Sequence, residues 1–393
     1  MKLKKLLALL LALSMVLALA ACGSSSSDDT DDADEAEEET EEVEEEEEEE
    51  AEEEEAEEEE EAEEDTSAEI DELTISFSTT YSQTETGGQQ VADFEAYIEE
   101  ASGGAMQVEV YYGGTLFGDT EILDGIESGA VNMTLFAHSA FTETLYYLGF
   151  PTFGTGGIEA TLEFFDTVIF EDETTSALIA SQLEEHDMIF LATLAGGANA
   201  ICTQYEFSDL DSLIAGCEAF GNFDATIWEY LGFNVVAIEV GDMYNSLDTG
   251  LINATEMGLS PMVSMTWYDV AEYWALDGTY SAGNFVTANL TWWNSLTEAQ
   301  QAIIEEAAAY LEEESITIYA DATDADIATV EEATGNAFVE FSDEDYARIW
   351  EACFEAKADA AITVAEANDD VDNMVTILEL AGECTGYDWT YEG

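Results

Sequence analysis

The side chains able to do chemistry in this chain are few, and their spacing points to recognition rather than catalysis. There are two histidines, His138 and His186, and five cysteines among 393 residues. No G-x-S-x-G, H-E-x-x-H or phosphate-loop pattern occurs, and no Cys/His cluster has the spacing of a zinc site. Two separated histidines leave little for general acid–base chemistry. What remains is a set of hydrogen-bonding groups at the ends of predicted strands: Thr79, Tyr81 and Ser82, then Thr115, then His138 and Ser139. Such groups can hold a small polar molecule, and the same residue types also serve as plain loop satisfiers. The plainer reading of His138 is a structural hydrogen-bonder.

The elements that must position these groups read as α/β. Leu73–Ser78 alternates as a strand, and Val91, Phe94, Ile98 and Ala101 recur at helical spacing before Ser102-Gly-Gly104. Met106–Tyr112 and Val131–Phe136 read as strands on either side of a short helix, Thr120–Ser128. Strand, helix, strand, helix, strand predicts a largely parallel sheet. Ligands of such sheets bind outside the carboxyl ends of the strands, where the polar groups named above fall. A second unit follows, with strands expected at Met188–Thr193, Asn199–Thr203, Cys217–Phe220, Asn234–Glu239 and Gly250–Thr255. Helices are expected at Ala225–Leu231, Gly241–Leu247 and Met262–Tyr273. Thr297, with Gln300 three residues on, caps a long helix that stays periodic to about Thr334 and stops at Gly335. Helical periodicity resumes from Ser342 to Glu366.

The N-terminus directs the chain out of the cytoplasm. Lys2, Lys4 and Lys5 precede an apolar run from Leu6 to Ala18, and Leu19-Ala-Ala-Cys22 closes it. That is the build of a signal peptide, too short for the roughly 20 residues of a spanning helix. The end resembles a bacterial lipobox, so residues 1–21 are expected to be removed and Cys22 to carry lipid. The plainer reading is an ordinary secretory signal with a chance cysteine. Residues 22–71 then form an acidic, disordered tether: a solvated spacer, or a brush that attracts cations.

Charge excludes one class of partner outright. Of 92 acids, 30 lie between Asp28 and Asp65, leaving 62 beyond the tether against Arg348 and Lys357 alone. A folded part near −60 cannot neutralise phosphates, so nucleic acid is excluded. Self-repulsion on that scale also suggests a salty or cation-rich setting. Outside the cytoplasm the four cysteines beyond Cys22 admit bridges, Cys202 with Cys217 and Cys353 with Cys384 being the local pairs. Buried free thiols are an equal reading.

Four motifs in order carry a family resemblance. Gly113-Gly-Thr-Leu-Phe-Gly118, with Glu121-Ile-Leu-Asp-Gly-Ile-Glu-Ser-Gly-Ala-Val-Asn-Met133, is similar to a stretch of the substrate-binding proteins of tripartite ATP-independent periplasmic (TRAP) transporters. So are Tyr244-Asn-Ser-Leu-Asp-Thr-Gly-Leu-Ile-Asn-Ala-Thr-Glu256, Tyr268-Asp-Val-Ala-Glu-Tyr273 and the stretch from Asn289 to Ile303. The similarity runs from about Leu73 to Gly335. It implies a two-lobed α/β fold of the periplasmic-binding-protein kind, type II-like, with hinge strands and a long helix spanning both lobes. The expected lobes are 72–194 with about 285–323, and 195–284 with about 324–393. It further implies closure on one small-molecule solute, delivery to the membrane permease subunits of a transporter, and no catalysis. The rival reading is a solute-sensing or structural surface lipoprotein.

The sequence departs from the family where the family grips carboxylates. The family's arginine after "D-L-x-G-L-K-I" falls near Glu218, and a second common arginine falls near Asn199. No basic residue lies between Lys5 and Arg348 to replace them. Either Glu218 only reflects the purge of basic residues, or the cleft is inverted to hold a cation or a neutral polar molecule. A Ca²⁺ ion between Glu218 and a ligand carboxylate would also reconcile the charges; no other cofactor is implied. Asn222, Tyr244 and Trp267 complete the expected ligand contacts, Trp267 equally as a core filler.

Overall fold

A computed structural model describes residues 70–118, 121–137, 144–150, 153–222 and 225–391. The expected signal peptide, Cys22, the tether to residue 69, and both His138 and Ser139 lie outside the described residues. Among the described residues no helix is long and apolar enough to cross a membrane.

Nine strands organise the folded part: β1 (Leu73–Thr79), β2 (Met106–Tyr111), β3 (Met133–Ala137), β4 (Phe153–Thr155), β5 (Met188–Thr203), β6 (Phe220–Asn222), β7 (Val235–Ala237), β8 (Ala254–Gly258) and β9 (Tyr273–Asn289). They pair in the order β2-β1-β3-β9-β5-β8-β6-β7, with β4 also on β9. Within each half the pairs are parallel, as expected: β1 with β2 and β3, and β6 with β7 and β8. The two halves are joined by β5 and β9, antiparallel partners of 16 and 17 residues that run through both. These are the hinge strands of a two-lobed fold.

The hinge strands differ most from expectation. Two short strands were expected between Met188 and Thr203; one bulged strand forms, with register shifts at Leu194/Ala195 and Ala195/Ala198. Gly283 makes this possible, because a Cβ there would sit 2.3 Å from the Ala195 carbonyl oxygen. No strand was expected across Tyr273–Asn289, where small residues and glycines break alternation. The helix expected at Met262–Tyr273 is instead a helix at Leu259–Ser264, a 3₁₀ turn at Trp267–Asp269, and then β9.

Alternation along the strands divides the core. Ile75 and Phe77, Met133 and Leu135, and Val286 and Ala288 join one cluster with Ile303, Ile304 and Leu311 of the long helix. At the other end Ala200 and Cys202 join Met243, Leu247, Trp267 and Trp274. Ile201, Phe220, Ala254 and Ala275 face away from that cluster, into a third one with Trp228 and Phe354. The long helix, Glu298–Thr334, begins with the expected capping box: Gln300 N donates to Thr297 Oγ1 (3.2 Å) and Thr297 N to Gln300 Oε1 (3.0 Å). It ends at Gly335 with φ 75°, a left-handed cap. Val330 reaches the second cluster, so this helix spans both lobes, and Ser315 Oγ accepts from Ala195 N (2.8 Å) to pin it to β5.

None of the four described cysteines is in a disulfide, which corrects the two local pairings. Cys202 is buried in the cluster behind β5, whereas Cys217 packs on the cluster of the opposite face. Cys353 is buried and Cys384 exposed.

Candidate functional site

Asn222, Glu256, Asn199 and Asp277 come together from four strands on one face of the second lobe. The face follows from pairing and period. Phe220 lies opposite Ala254 and Gly221 opposite Thr255, so the next step along β6 and β8 sets Asn222 beside Glu256. Ile201 lies opposite both Glu256 and Ala275, and Asn199 and Asp277 are each two residues along from that row. All therefore stand on the Phe220–Trp228 side of the sheet.

The hydrogen bonds form two sets. Glu256 Oε2 accepts from Asn222 Nδ2 (3.0 Å) and from the Trp228 indole (3.1 Å). Asp277 Oδ1 accepts from Thr279 N and Thr279 Oγ1, both at 2.8 Å, and Thr279 Oγ1 accepts from Asn199 Nδ2 (2.9 Å). Gly278, at φ 82°, makes the turn that brings Thr279 back onto Asp277. Asp277 is 3% exposed and Asn199 6% exposed. Burial and the neighbouring Asp277 charge push Glu256 up to about 8, against weaker lowering by Trp228, Asn222 and Lys357. Burial pushes Asp277 up to about 6, partly opposed by the Thr279 bonds.

The remaining capacity of this cluster is mixed, because Asn199 Nδ2 carries a second N–H and Glu256, held protonated, an O–H. Among the described residues no hydrogen bond reaches Glu256 Oε1 or Asn199 Oδ1, and none reaches Asp277 Oδ2 from another residue. A cavity of about 340 Å³ lies between Tyr280, Gly156, Glu159, Ile316 and Asp324, and none of Asn199, Asn222, Glu256 or Asp277 lines it.

In the first lobe Tyr81 is the residue that reaches the hinge. Its hydroxyl donates to Asn284 Oδ1 of β9 (2.7 Å). Thr79 is fully buried and accepts from Tyr81 N (3.3 Å), so it shapes the loop. Ser82 bonds locally with Glu85 and Thr84, and Thr115 is exposed and caps the Tyr112 carbonyl (2.9 Å).

Three further expected contacts, Glu218, Trp267 and Tyr244, are not brought to the cluster either. Glu218 is exposed two residues before β6, at the opposite end of that strand from Asn222; its backbone N donates to Asn253 Oδ1 (3.0 Å). Glu218 thus stands apart from the cluster. No group of three or more metal-binding side chains gathers among the described residues. Trp267, 1% exposed, fills the core behind the sheet, and Tyr244 packs on that same rear cluster. Asp277 and Thr279 were missed because Tyr273–Asn289 carries no strand signal, and Trp228 because it lies on the helix Ala225–Tyr230, outside the predicted strand ends. Glu256 stood inside a quoted motif but gave no sign of facing the cleft.

Two α/β lobes on a double-strand hinge, with a polar cluster on one lobe, have the build of a solute-capturing protein. The chain matches the family model "DctP: bacterial extracellular solute-binding protein, family 7" over residues 77–154 and 220–361, and it belongs to that family. Members of that family bind solutes and are not enzymes. No curated protein matches the chain. Three solved TRAP periplasmic solute-binding proteins share its fold. One from Ochrobactrum anthropi is 21% identical, with TM-score 0.66 over 80% of this chain and 98% of that one. One from Rhodobacter sphaeroides, in an apo open form, is 12% identical, with TM-score 0.69 over 80% and 100%. One from Sulfitobacter, holding β-D-galacturonate, is 15% identical, with TM-score 0.60 over 79% and 99%.

Proposed function

We propose that this chain is the lipid-anchored, extracytoplasmic solute receptor of a TRAP-type permease. It closes two lobes on one small polar molecule and hands it to the permease subunits in the membrane. The lobes are 72–194 with about 285–323, and 195–284 with about 324–393. One core cluster draws on Ile75 to Leu194 and Val286 to Leu311 and another on Ala200 to Val330, while a third joins the two, with Phe136 and Phe285 beside Phe220 and Phe354. The observation that carries the reading is the Asn199–Asn222–Glu256–Asp277 cluster, built from both hinge strands and the second lobe, with Tyr81 of the first lobe bonded to the same β9. Lobe closure on a hinge of this kind is a rigid-body motion about a few strand residues. The test is thermal unfolding of the mature chain against a panel of small polar solutes, each with and without Ca²⁺. A saturating solute at about 100 times its Kd should add about 2.7 kcal/mol of stability. Absence of any stabilising solute would count against a receptor.

The anchor has its own support and its own test. A lysine-led apolar run ending in Leu19-Ala-Ala-Cys22 fits lipidation of the Cys22 thiol. Cys22→Ala should release the protein from the membrane fraction and abolish labelling by a fatty acid. Retention on the membrane would argue for another anchor.

A further inference from the structure

We infer that the first lobe holds the uncharged, hydroxylated end of the solute, as in a sugar or polyol, between the side-chain amides of Gln90 and Asn284 beside Tyr81. This rests on the receptor reading and gives it a ligand class. The starting point is Gln90, fully buried near the start of the helix Thr86–Ala101. Among the described residues neither its Nε2 nor its Oε1 has a hydrogen-bond partner. An amide buried with both ends empty works against folding, and native structures keep few of them. The next buried positions of the same helix, Val91, Phe94 and Ile98, are all apolar, so an apolar residue would have suited the pattern at Gln90 as well.

The amide stands where strand ends place a ligand. A Cβ on Gly87 would lie 2.5 Å from the Tyr81 ring, so that ring rests on the first turn of the helix. Gln90 is three residues on, on the same face, and helical side chains lean back toward the N-terminus. Its amide therefore reaches over Gly87 toward Tyr81. The Tyr81 hydroxyl donates to Asn284 Oδ1 (2.7 Å), and Asn284 is 1% exposed. Among the described residues no hydrogen bond uses Asn284 Nδ2. Asn284 lies opposite Ala137 at the end of β3 and opposite Leu194 beside the hinge bulge. Both amides thus flank one tyrosine at the carboxyl ends of β1 and β3, the crevice where sheets of this class bind ligands. The loop carrying Tyr81 is the cover. It lies so close on the helix that a Cβ on Gly88 would sit 2.0 Å from the Ser82 carbonyl oxygen, and it must lift to admit a solute.

The free groups select the ligand by their chemistry. Gln90 offers N–H donors and a carbonyl acceptor, and Asn284 Nδ2 offers further N–H donors. A pair of hydroxyls both gives and takes hydrogen bonds and so fills such a set. An ammonium ion leaves the amide donors unmet, and a bare carboxylate leaves the Gln90 carbonyl unmet. Neither would find a compensating charge. Glu85, the acid on the same loop, is engaged with Ser82 N (2.6 Å). Tyr319 of the long helix stands by the hinge, where a Cβ on Gly197 would sit 3.6 Å from its ring. Burial first, then Tyr81, hold its phenol above the usual range, so it is neutral. No basic residue lies between Lys5 and Arg348. A charge buried without a partner is costly, so the uncharged end of a solute fits best.

The experiment uses the mature chain and four kinds of probe. These are ribose and myo-inositol as neutral hydroxyl-bearers, galacturonate as a hydroxylated acid, succinate as an acid without hydroxyls, and putrescine as a cation without hydroxyls. Melting temperature identifies binders, and calorimetry gives their affinities. The expected result is that at least one hydroxylated probe binds and that succinate and putrescine do not. Gln90→Leu should weaken that probe by about ten- to a hundredfold and raise the ligand-free melting temperature by about 2–4 °C, because it removes an amide that nothing satisfies. A purely structural Gln90 predicts the opposite, a lower melting temperature with unchanged affinity. Asn284→Asp keeps an acceptor for Tyr81 and removes the free N–H donors, and it should weaken the same probe by about tenfold. Unchanged affinity in both variants, or a lower ligand-free melting temperature in Gln90→Leu, would overturn the amide site while leaving the receptor reading standing. Binding by succinate or putrescine and by no hydroxylated probe would do the same. No shift with any probe would overturn both.

Discussion

Asp166→Asn should make the folded chain less sensitive to rising pH, and the size of the effect follows from one buried contact. Asp166 ends the helix Ile158–Asp166, and its carboxyl meets Glu312 of the long helix. Burial first, then the Glu312 charge and hydrogen bond, push Asp166 up to about 8. Burial raises Glu312 as well, against bonds from Thr193 N and Asp166. Two enclosed carboxyls cannot both ionise cheaply, so the pair keeps a shared proton near neutral pH. An acid with a raised folded pKa binds its proton more tightly folded than unfolded. Its stabilising contribution is complete below the ordinary carboxylate range and is lost as pH rises through about 8. Each pH unit inside that window is worth about 1.4 kcal/mol, so going from about pH 5.5 to about pH 7.5 should cost the parent about 3 kcal/mol through this pair. The asparagine keeps the shape and removes the titration. Urea unfolding in roughly molar NaCl, which screens long-range repulsion, gives the two curves of stability against pH. Glu256 and Asp277 titrate in both proteins and cancel in the difference. Parallel curves would refute the shared-proton account.

Three further outcomes are expected. Melting temperature should rise from low salt to roughly molar NaCl, because 62 acids against two basic residues beyond the tether repel one another; a flat response would mean that they are compensated locally. Phe285→Ala should cost about 3–5 kcal/mol in urea unfolding, since Phe285 is fully buried and stacks on Phe190 at a centroid distance of 4.4 Å across the hinge strands. A thiol reagent should modify Cys384 in the native protein and reach Cys202 and Cys353 only on unfolding; prompt loss of all three would contradict their burial.

The sequence announced the parts of the fold that rest on local chemistry. Thr297 and Gln300 mark the start of the long helix, and Gly335 its end, because capping is decided within a few residues. The first strands and helices are legible because Ile75, Phe77, Val91, Phe94 and Ile98 each bury one face. The hinge was hidden. β9 is held by neighbours on both sides, so Gly278, Gly283 and a run of small residues are tolerated where an isolated strand would fail. The site shared that fate. Asn199 and Asn222 were visible as departures or strand-end amides, but Asp277 belongs to the unsignalled strand. Glu256 acquires its role only when β8 is paired with β5 and β6. Glu218 stands at the other end of β6 from Asn222, a position along the strand that motif spacing alone does not fix.

Hydrogen–deuterium exchange with and without the best-stabilising solute tests the central claim most directly, since it reads where on the backbone the solute acts. Closure around the cluster predicts protection concentrated in residues 195–203, 220–222, 254–258 and 277–284, joined by the loop at Tyr81 as the first lobe closes. The rear surface carrying Tyr244 should be unchanged. Protection confined to the tether, to the C-terminal helix Val371–Thr385 or to the rear surface would contradict the account.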